Sequence, residues 1–478
     1  MSESAIQKRA EIQGLTTAIL FPGVSVFGGP IGHQVGEVGP LTSVVGIGLF
    51  QRAVLTLQQG GIRQLIVLAG PEEDQLKQAL GRGPRVAIPV RWMPIREFPL
   101  DDARTWDTLA AEAHGFALVA SANGVFSREL VERLRQDVRD NEAIVVAETS
   151  QARSTEPMTR GLPVKIQSNR MTVFAPRDFD DSAPRAAEMV VLPASLMSGA
   201  GHPAIESGRL PIRQRLERAA VDGRVRVVTA SEESGIWYQP VHRFSDVQTA
   251  EKKLFSSLKG EFEGFVDRYI NRKISRWFTR LFLAIGLSPN SITILATLIG
   301  LMSAAGFGMG TYTAGVVGAV LFQLAAVIDC CDGEVARLTF TESPFGAWLD
   351  IAMDNLIHMA IFAGVAAGLY VAQVGQAHAW ITLALGAAAV LGNGLAFLLV
   401  EKAKKIKSAN GWETPVNAAW SDFMLKNVAS RDFSVPLLIF ALFGRLDWFL
   451  WMAAAGSLIF AGIMLWVIRP SVVTITKS

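Results

Sequence analysis

The sequence predicts an α/β domain followed by an all-α, six-helix transmembrane domain, and three observations carry that prediction. Up to about residue 275 charged and apolar residues are mixed as in soluble domains, whereas beyond Ser288 long apolar runs carry few charges, the mark of membrane spans. Between residues 15 and 240 strand-like runs alternate with helical patterns, the order of an α/β domain. At 478 residues the chain is also too long for one ordinary domain. The expected division is residues 1–245, a cytoplasmic α/β domain; 246–285, an amphipathic juxtamembrane linker helix; and 286–478, the membrane domain.

In the first part the strand-like runs are Thr16–Phe21, Leu65–Ala69, Ala117–Ser121, Ala143–Ala147, Met171–Ala175, Met189–Pro193 and Arg224–Thr229. Helical patterns at Val45–Gln59 and Arg128–Asp140 lie between them, and alternation at this spacing predicts a largely parallel sheet. The opening residues MSESAIQKRAEIQG lack the apolar core of a secretory signal, so this part is expected to stay in the cytoplasm. A net charge of +2 gives no reason to expect a nucleic acid partner. Two adjacent cysteines, Cys330 and Cys331, exclude a disulfide framework and a cysteine zinc site; they read as packing residues.

The order of features in this half resembles the sugar-nucleotide and cytidylyl nucleotidyltransferases over roughly 230 residues. TTAILF runs into the Gly-rich PGVSVFGGPIG, then comes VGPLTSVVGIGLFQRAVLTLQQGGIRQLIVLAG, and SGIWYQPVHRFSDVQTAEKKL closes the fold. The resemblance implies a nucleotidyltransferase-like α/β fold, but the family's chemical groups are replaced. Pro22 to His33 holds neither Arg nor Lys, Gly39 stands where the family has a catalytic Lys, and Asn123 where it has a metal-binding Asp. The second Asp is absent between Trp237 and Ser245. Triphosphate chemistry needs cations and a metal to offset its charge, so the expectation is a catalytically silent relative that binds or scaffolds.

Glu251 to Ile285 follows, with Arg268, Arg272, Lys273, Arg276 and Arg280 set among Phe, Ile, Trp and Leu. Such a helix suits the cytoplasmic membrane surface. Six spans are then expected near 291–310, 312–331, 345–371, 379–400, 433–444 and 448–468, the fifth being short. The loops after the first and third spans carry no Lys or Arg, the other side is rich in both, and Arg445 alone falls on the far side. The positive-inside rule then puts both termini in the cytoplasm, as in a bacterial-type inner or cell membrane.

Residues 329–354 read DCCDGEVARLTFTESPFGAWLDIAMD. Asp329 and Asp332 are three apart, and Asp350 and Asp354 four apart, so each pair shares one face of a helix. Ser343-Pro344 is a helix start, an N-cap followed by proline in the first turn. Two helices joined by a tight turn near Thr339–Ser343 thus point four carboxylates at one another. Asp329 lies seventeen residues after Tyr312, about 26 Å along the helix, so the group sits near the cytoplasmic end of its span. Carboxylates there are costly, each about 2.5–3.5 kcal/mol at mid-bilayer. A divalent cation is one compensation, and oxygen-only ligands suit Mg²⁺ or Mn²⁺; a polar bundle interior or the ion path of a transporter is the other.

The segment matches the pattern D-x2-D-G-x2-A-R-x8-G-x3-D-x3-D at every fixed position: Asp329, Asp332, Gly333, Ala336, Arg337, Gly346, Asp350 and Asp354. By it the chain resembles the CDP-alcohol phosphotransferase family over roughly residues 265–470, including LSPNSIT at Leu287–Thr293. The resemblance implies a six-helix membrane domain that moves a substituted phosphate from a CDP-alcohol to an acceptor alcohol and releases CMP. It implies that Asp329, Asp332, Asp350 and Asp354 form the metal site, with Asp354 also the general base. Asn290, Asp332, Gly333, Ala336, Arg337 and Gly346 are expected at the CDP-alcohol. Lys426 and Arg431, the latter in an Arg-Asp pair with Asp432, are expected at the acceptor. His358, four residues after Asp354, reads as a packing histidine. CDP-diacylglycerol and CDP-inositol both remain open as donor, membrane lipids are expected partners, and a homodimer is left open. Domain fusions in the family that makes inositol-phosphate compounds share this architecture. The alternative functions are a bifunctional enzyme whose first half also makes the CDP-alcohol, and an ion-coupled transporter.

Overall fold

The structure is a computed structural model that describes residues 14–27, 38–81, 86–139, 141–148, 162–174, 183–198, 211–231, 234–258, 271–410 and 433–468. The chain divides into two compact units, Met1–Ser257 and Leu258–Ser478.

The first unit contains strands β1 (Thr17–Phe21), β2 (Ser43–Val44), β3 (Ile47–Gly48), β4 (Gln64–Ala69), β5 (Val90–Pro94), β6 (Phe116–Ser121), β7 (Gly124–Phe126), β8 (Ala143–Glu148), β9 (Val164–Gln167), β10 (Arg170–Phe174), β11 (Arg185–Pro193), β12 (Val225–Ala230) and β13 (Tyr238–Pro240). Its helices are α1 (Leu49–Gln59), α2 (Glu73–Gly81), α3 (Ala103–Glu112), α4 (Arg128–Gln136), α5 (Ala194–Met197), α6 (Pro211–Val221) and α7 (Phe244–Ser257). Nine strands form one sheet in the order β5-β4-β1-β6-β11-β8-β12-β10-β9. Alternate residues of the central strands feed opposite faces. Ile19, Phe21, Ala117 and Val119 enter one core, and Ala18, Leu20, Leu118 and Ala120 the other. Burial on both faces is why these strands read as unbroken apolar runs.

The seven strands expected from sequence are all present, but the sheet is mixed rather than largely parallel. The pairs β1–β4, β1–β6, β4–β5 and β8–β12 are parallel. The pairs β6–β11, β8–β11, β10–β12 and β9–β10 are antiparallel. The reason lies after β8, where strand–helix alternation gives way to the β9–β10 hairpin and β11 inserts against both its neighbours. The helix expected from Val45 begins instead at Leu49. Val45 and Gly46 adopt φ of 52° and 78°, a hairpin turn that a right-handed helix cannot include. The buried Arg52 side chain donates to the Val44 carbonyl at 2.8 Å and so holds that turn.

The second unit contains α8 (Arg272–Ala284), α9 (Pro289–Gly308), α10 (Tyr312–Thr339), α11 (Pro344–Ala372), α12 (Trp380–Asn410), α13 (Ser434–Leu442) and α14 (Leu446–Ile468). Among the described residues five helices are long and apolar enough to cross a membrane: α9, α10, α11, the Trp380–Val400 part of α12, and α14. Six spans were expected. The fifth of them is α13, whose nine residues extend only about 13 Å, short of a hydrocarbon core of about 30 Å. The ladders of α9 and α11 approach closely at Gly364 and Gly368, where a Cβ would stand 2.3 Å from the Ala304 carbonyl and 2.0 Å from that of Phe307. Small residues four apart permit such approach in membranes.

The juxtamembrane stretch is split: α7 belongs to the first unit, while α8 packs on α10. Ile274, Trp277, Leu281 and Ile285 of the α8 segment are exposed, as are Arg276 and Arg280, a mixed apolar and basic outer face suited to head groups. The Arg268 position lies outside the described residues.

Candidate active site

The site is built where α10 ends and α11 begins. At the end of α10, Phe340 takes the left-handed conformation at φ 57°, and the Thr341 N–H donates to the Ala336 carbonyl at 2.9 Å. Ser343 then caps α11 by accepting from the Gly346 N–H at 2.9 Å, with Pro344 in the first turn. This turn leads from α10 into α11, and both helices pack against α9. Ser288 caps α9 in the same way, accepting from Ser291 at 3.2 Å with Pro289 in the first turn.

Asp329 and Asp332 of α10 and Asp350 of α11 thereby converge, each offering a carboxylate oxygen within 4.8 Å of the others. The two α10 carboxylates are buried and Asp350 is half-buried. Three anions this close in an apolar bundle repel one another and have lost water, so the donor set fits a divalent cation bound through oxygen. Asp354, one turn further along α11, is half-buried and stands outside this group of three.

The remaining pattern residues surround the carboxylates. Arg337 is in electrostatic range of Asp332 and Asp350, and its Nε is buried with no hydrogen-bond partner among the described residues, as expected of a donor meant for an anion. At Gly333 a Cβ would stand 3.3 Å from the Arg337 guanidinium. At Gly346 it would stand 3.1 Å from Ser343 Oγ and 3.3 Å from Asn290 Oδ1. Both glycines thus keep open the space beside Arg337 and Asn290. Ala336 is half-buried in the same stretch. Lys426, Arg431 and Asp432 lie outside the described residues.

Sequence reasoning missed Thr293 as a site residue. It is buried on α9, and its hydroxyl donates to Asp332 Oδ2, while the Gly333 N–H donates to Oδ1. The signal was present: Thr293 follows Asn290 by three residues and so shares its helix face. His358 is a packing residue here, edge-on to Phe322 and Phe433 at 6.3 and 4.7 Å between ring centroids. Cys331 is fully buried with Ile292, Ala296, Ile328 and Val335.

In the first unit the positions that depart from the nucleotidyltransferase pattern have structural roles. Asn123 is buried and donates through its side chain to the Val38 carbonyl at 3.2 Å, and its own carbonyl accepts from Val241 at 2.9 Å. Gly39 N–H donates to Thr42 Oγ1 at 3.1 Å. Within the described part of the Gly-rich loop, Ser25 Oγ and the Val26 N–H both donate to the Glu188 carboxylate, at 2.8 and 2.6 Å. Burial pushes that carboxyl above the usual carboxylate range, with these donors opposing.

Residues 286–468 match the family model of the CDP-alcohol phosphatidyltransferases. A bifunctional IPC transferase and DIPP synthase of Aquifex aeolicus is 32% identical over 179 residues, 37% of this chain and 39% of that protein. The protein of the same name from Rubrobacter xylanophilus is 28% identical over 358 residues, 72% of this chain and 77% of that one. The chain therefore spans well under half of the first relative and about three quarters of the second. The inositol-1-phosphate CTP transferase structure from T. maritima covers 50% of this chain and 96% of its own, at 13% identity and a TM-score of 0.38. The five apolar helices and the family together make this an integral membrane protein. With its aspartates clustered at one helix turn, the segment from residue 286 to 468 is a CDP-alcohol phosphatidyltransferase domain.

Proposed function

We propose that the chain is a membrane phosphotransferase that moves a substituted phosphate from a CDP-alcohol to a second alcohol and releases CMP. The observation that carries this reading is the meeting of Asp329, Asp332 and Asp350 within 4.8 Å inside the matched domain. These three would hold Mg²⁺ or Mn²⁺, one ion or two. Bound there, the ion would neutralise the diphosphate and make its phosphorus more electrophilic. Thr293 orients Asp332, Arg337 offers its guanidinium to a phosphate oxygen, and Asn290 contacts the cytidine end. Gly333, Ala336 and Gly346 let the nucleotide lie against the helices. Asp354 takes the proton of the acceptor hydroxyl. The acceptor oxygen then forms a bond to the phosphorus that carries the donor's alcohol, and the bond from that phosphorus to CMP breaks, CMP leaving with the electron pair. Lys426 and Arg431 hold a phosphate on or beside the acceptor.

The orientation that goes with this reading has both termini and the site on the cytoplasmic side of a cell membrane, with six crossings counting the short α13. The far-side arginine supports it: Arg445 lies over the Trp448 ring at 4.8 Å and pairs with Asp447 at 3.7 Å, so its charge is locally compensated. CDP-diacylglycerol with a polar acceptor and CDP-inositol with a lipid acceptor both fit the chemistry. The first unit is read as silent in nucleotidyl transfer, because Glu188 already occupies loop donors that a phosphate would need. The bifunctional reading, favoured by the length of the Rubrobacter match, requires CTP turnover instead.

Purified protein incubated with a panel of CDP-alcohols and acceptors should release CMP only with Mg²⁺ or Mn²⁺ present, and absence of release across the panel defeats the proposal. Asp354→Asn should abolish release yet keep CDP-alcohol binding; loss of binding as well would make Asp354 a ligand rather than the base.

A further inference from the structure

Glu334 is a buried carboxylate that the catalytic pattern leaves unassigned. It lies on α10, two residues after Asp332, and is 2% exposed. Its two oxygens accept from Ser275 Oγ at 2.9 Å and Thr279 Oγ1 at 2.6 Å, both fully buried on α8. At the N-cap of α8, Asn271 Oδ1 accepts from Gln323 Nε2 at 2.7 Å. Asn271, Ser275 and Thr279 are spaced by four and lay a polar stripe along the buried face of α8, beside Phe278 and Phe282, which pack with Ile292, Ile328 and Val335, while Ile274, Trp277 and Leu281 are exposed. A helix that turns hydroxyls and an amide inward against a span is buying direction rather than adhesion, since apolar side chains would pack there at no desolvation cost.

Geometry says what is being directed. At 3.6 residues per turn Glu334 lies about 200° around α10 from Asp332 and about 140° from Asp329. The metal-facing carboxylates and Glu334 are therefore on opposed sides of the helix, one side held by Thr293 of α9 and the other by α8. Side-chain heads lie roughly 5–6 Å from a helix axis, so a turn of about 10° carries a carboxylate about 1 Å. Metal ligation tolerates about 0.2 Å. Apolar packing alone leaves rotations of that size inexpensive; hydrogen bonds, which weaken steeply with angle, do not.

We propose that Glu334 is a positioning residue, gripped by Ser275 and Thr279 so that α8 fixes the rotation of α10 and, through it, the spacing of the Asp329–Asp332–Asp350 cluster. The inference rests on the proposed reading of that cluster as a metal site.

The test replaces the trio by apolar residues of similar size, Ser275→Ala with Thr279→Val and Glu334→Leu, in the full chain in detergent. The readouts are the Kd for Mn²⁺ alone, from paramagnetic resonance of the free ion, and the thermal midpoint without metal. The expected result is an unchanged or higher midpoint with Mn²⁺ affinity about tenfold weaker, the scale of lost outer-shell support. The conservative Thr279→Ser should stay within twofold of wild type. A folded triple variant that binds Mn²⁺ within twofold of wild type overturns the proposal, since Glu334 then only packs. If the triple variant does not fold, Thr279→Val alone decides: about threefold weaker binding upholds the role and unchanged binding overturns it. Wild type that binds Mn²⁺ but releases no CMP defeats the proposed activity and leaves this test standing; wild type that binds no Mn²⁺ overturns the inference itself.

Discussion

Replacing Asp350 by asparagine separates a metal site from a packing cluster, because the two make opposite predictions for the metal-free protein. Asp350 offers an oxygen within 4.8 Å of Asp329 and of Asp332. Two unit charges at that distance repel by about 3.5 kcal/mol at an effective dielectric constant near 20. Asn removes two such repulsions at nearly constant volume. Arg337 nearby and the partial exposure of Asp350 discount the gain to on the order of 2 kcal/mol. Without metal, Asp350→Asn should therefore unfold several degrees above wild type. Wild type should gain about 2.7 kcal/mol at a metal concentration a hundred times Kd, and the variant should gain almost none. CMP release should fall by at least roughly a hundredfold, the scale of losing one preorganised electrostatic partner. The assay is thermal unfolding in detergent with and without Mg²⁺ or Mn²⁺, run beside CMP release on the same samples. A variant that is less stable without metal, or that keeps the metal-induced rise and near-normal turnover, refutes the assignment of Asp350 as a ligand.

Three further outcomes are expected. The full chain given CTP with sugar or polyol phosphates should release no pyrophosphate, since Gly39 and Asn123 replace the expected Lys and Asp; clear CTP-dependent release revives the bifunctional reading. Burial pushes the Glu148 carboxyl up to about 7, Lys253 opposing and Glu188 adding. A raised folded-state value means stability present below about pH 4.5 and lost as pH rises through 7, on the order of 2 kcal/mol after discounting for its partial exposure. Glu148→Gln should flatten that slope in hydrogen exchange of β8, and an unchanged slope removes Glu148 as its source. Arg431→Ala should raise KM for the acceptor far more than for the CDP-alcohol; normal expression with an unchanged acceptor KM makes it a topology anchor only.

The sequence by itself determined what depends on local order. Unbroken apolar runs located the central strands and the long spans, because a strand covered on both faces and a helix in lipid both need apolar residues throughout. Ser343-Pro344 located one helix start from capping chemistry alone. The fixed spacing from Asp329 to Asp354 marked four carboxylates, three of which meet in the fold. Strand direction was out of reach, since β11 runs antiparallel between β6 and β8 through partners distant in sequence. So was the start of α1, which the buried Arg52 helps to set by holding the Val45–Gly46 turn. Only the tertiary fold decided that Asp350, rather than Asp354, completes the cluster with Asp329 and Asp332, because helix spacing gives each pair a common face but not the rotation of one helix against another. The same rotation hides Glu334, whose partners Ser275 and Thr279 stand 59 and 55 residues away. A buried carboxylate can be read as useful only when the groups that satisfy it are seen, and those groups are brought to it by packing rather than by sequence.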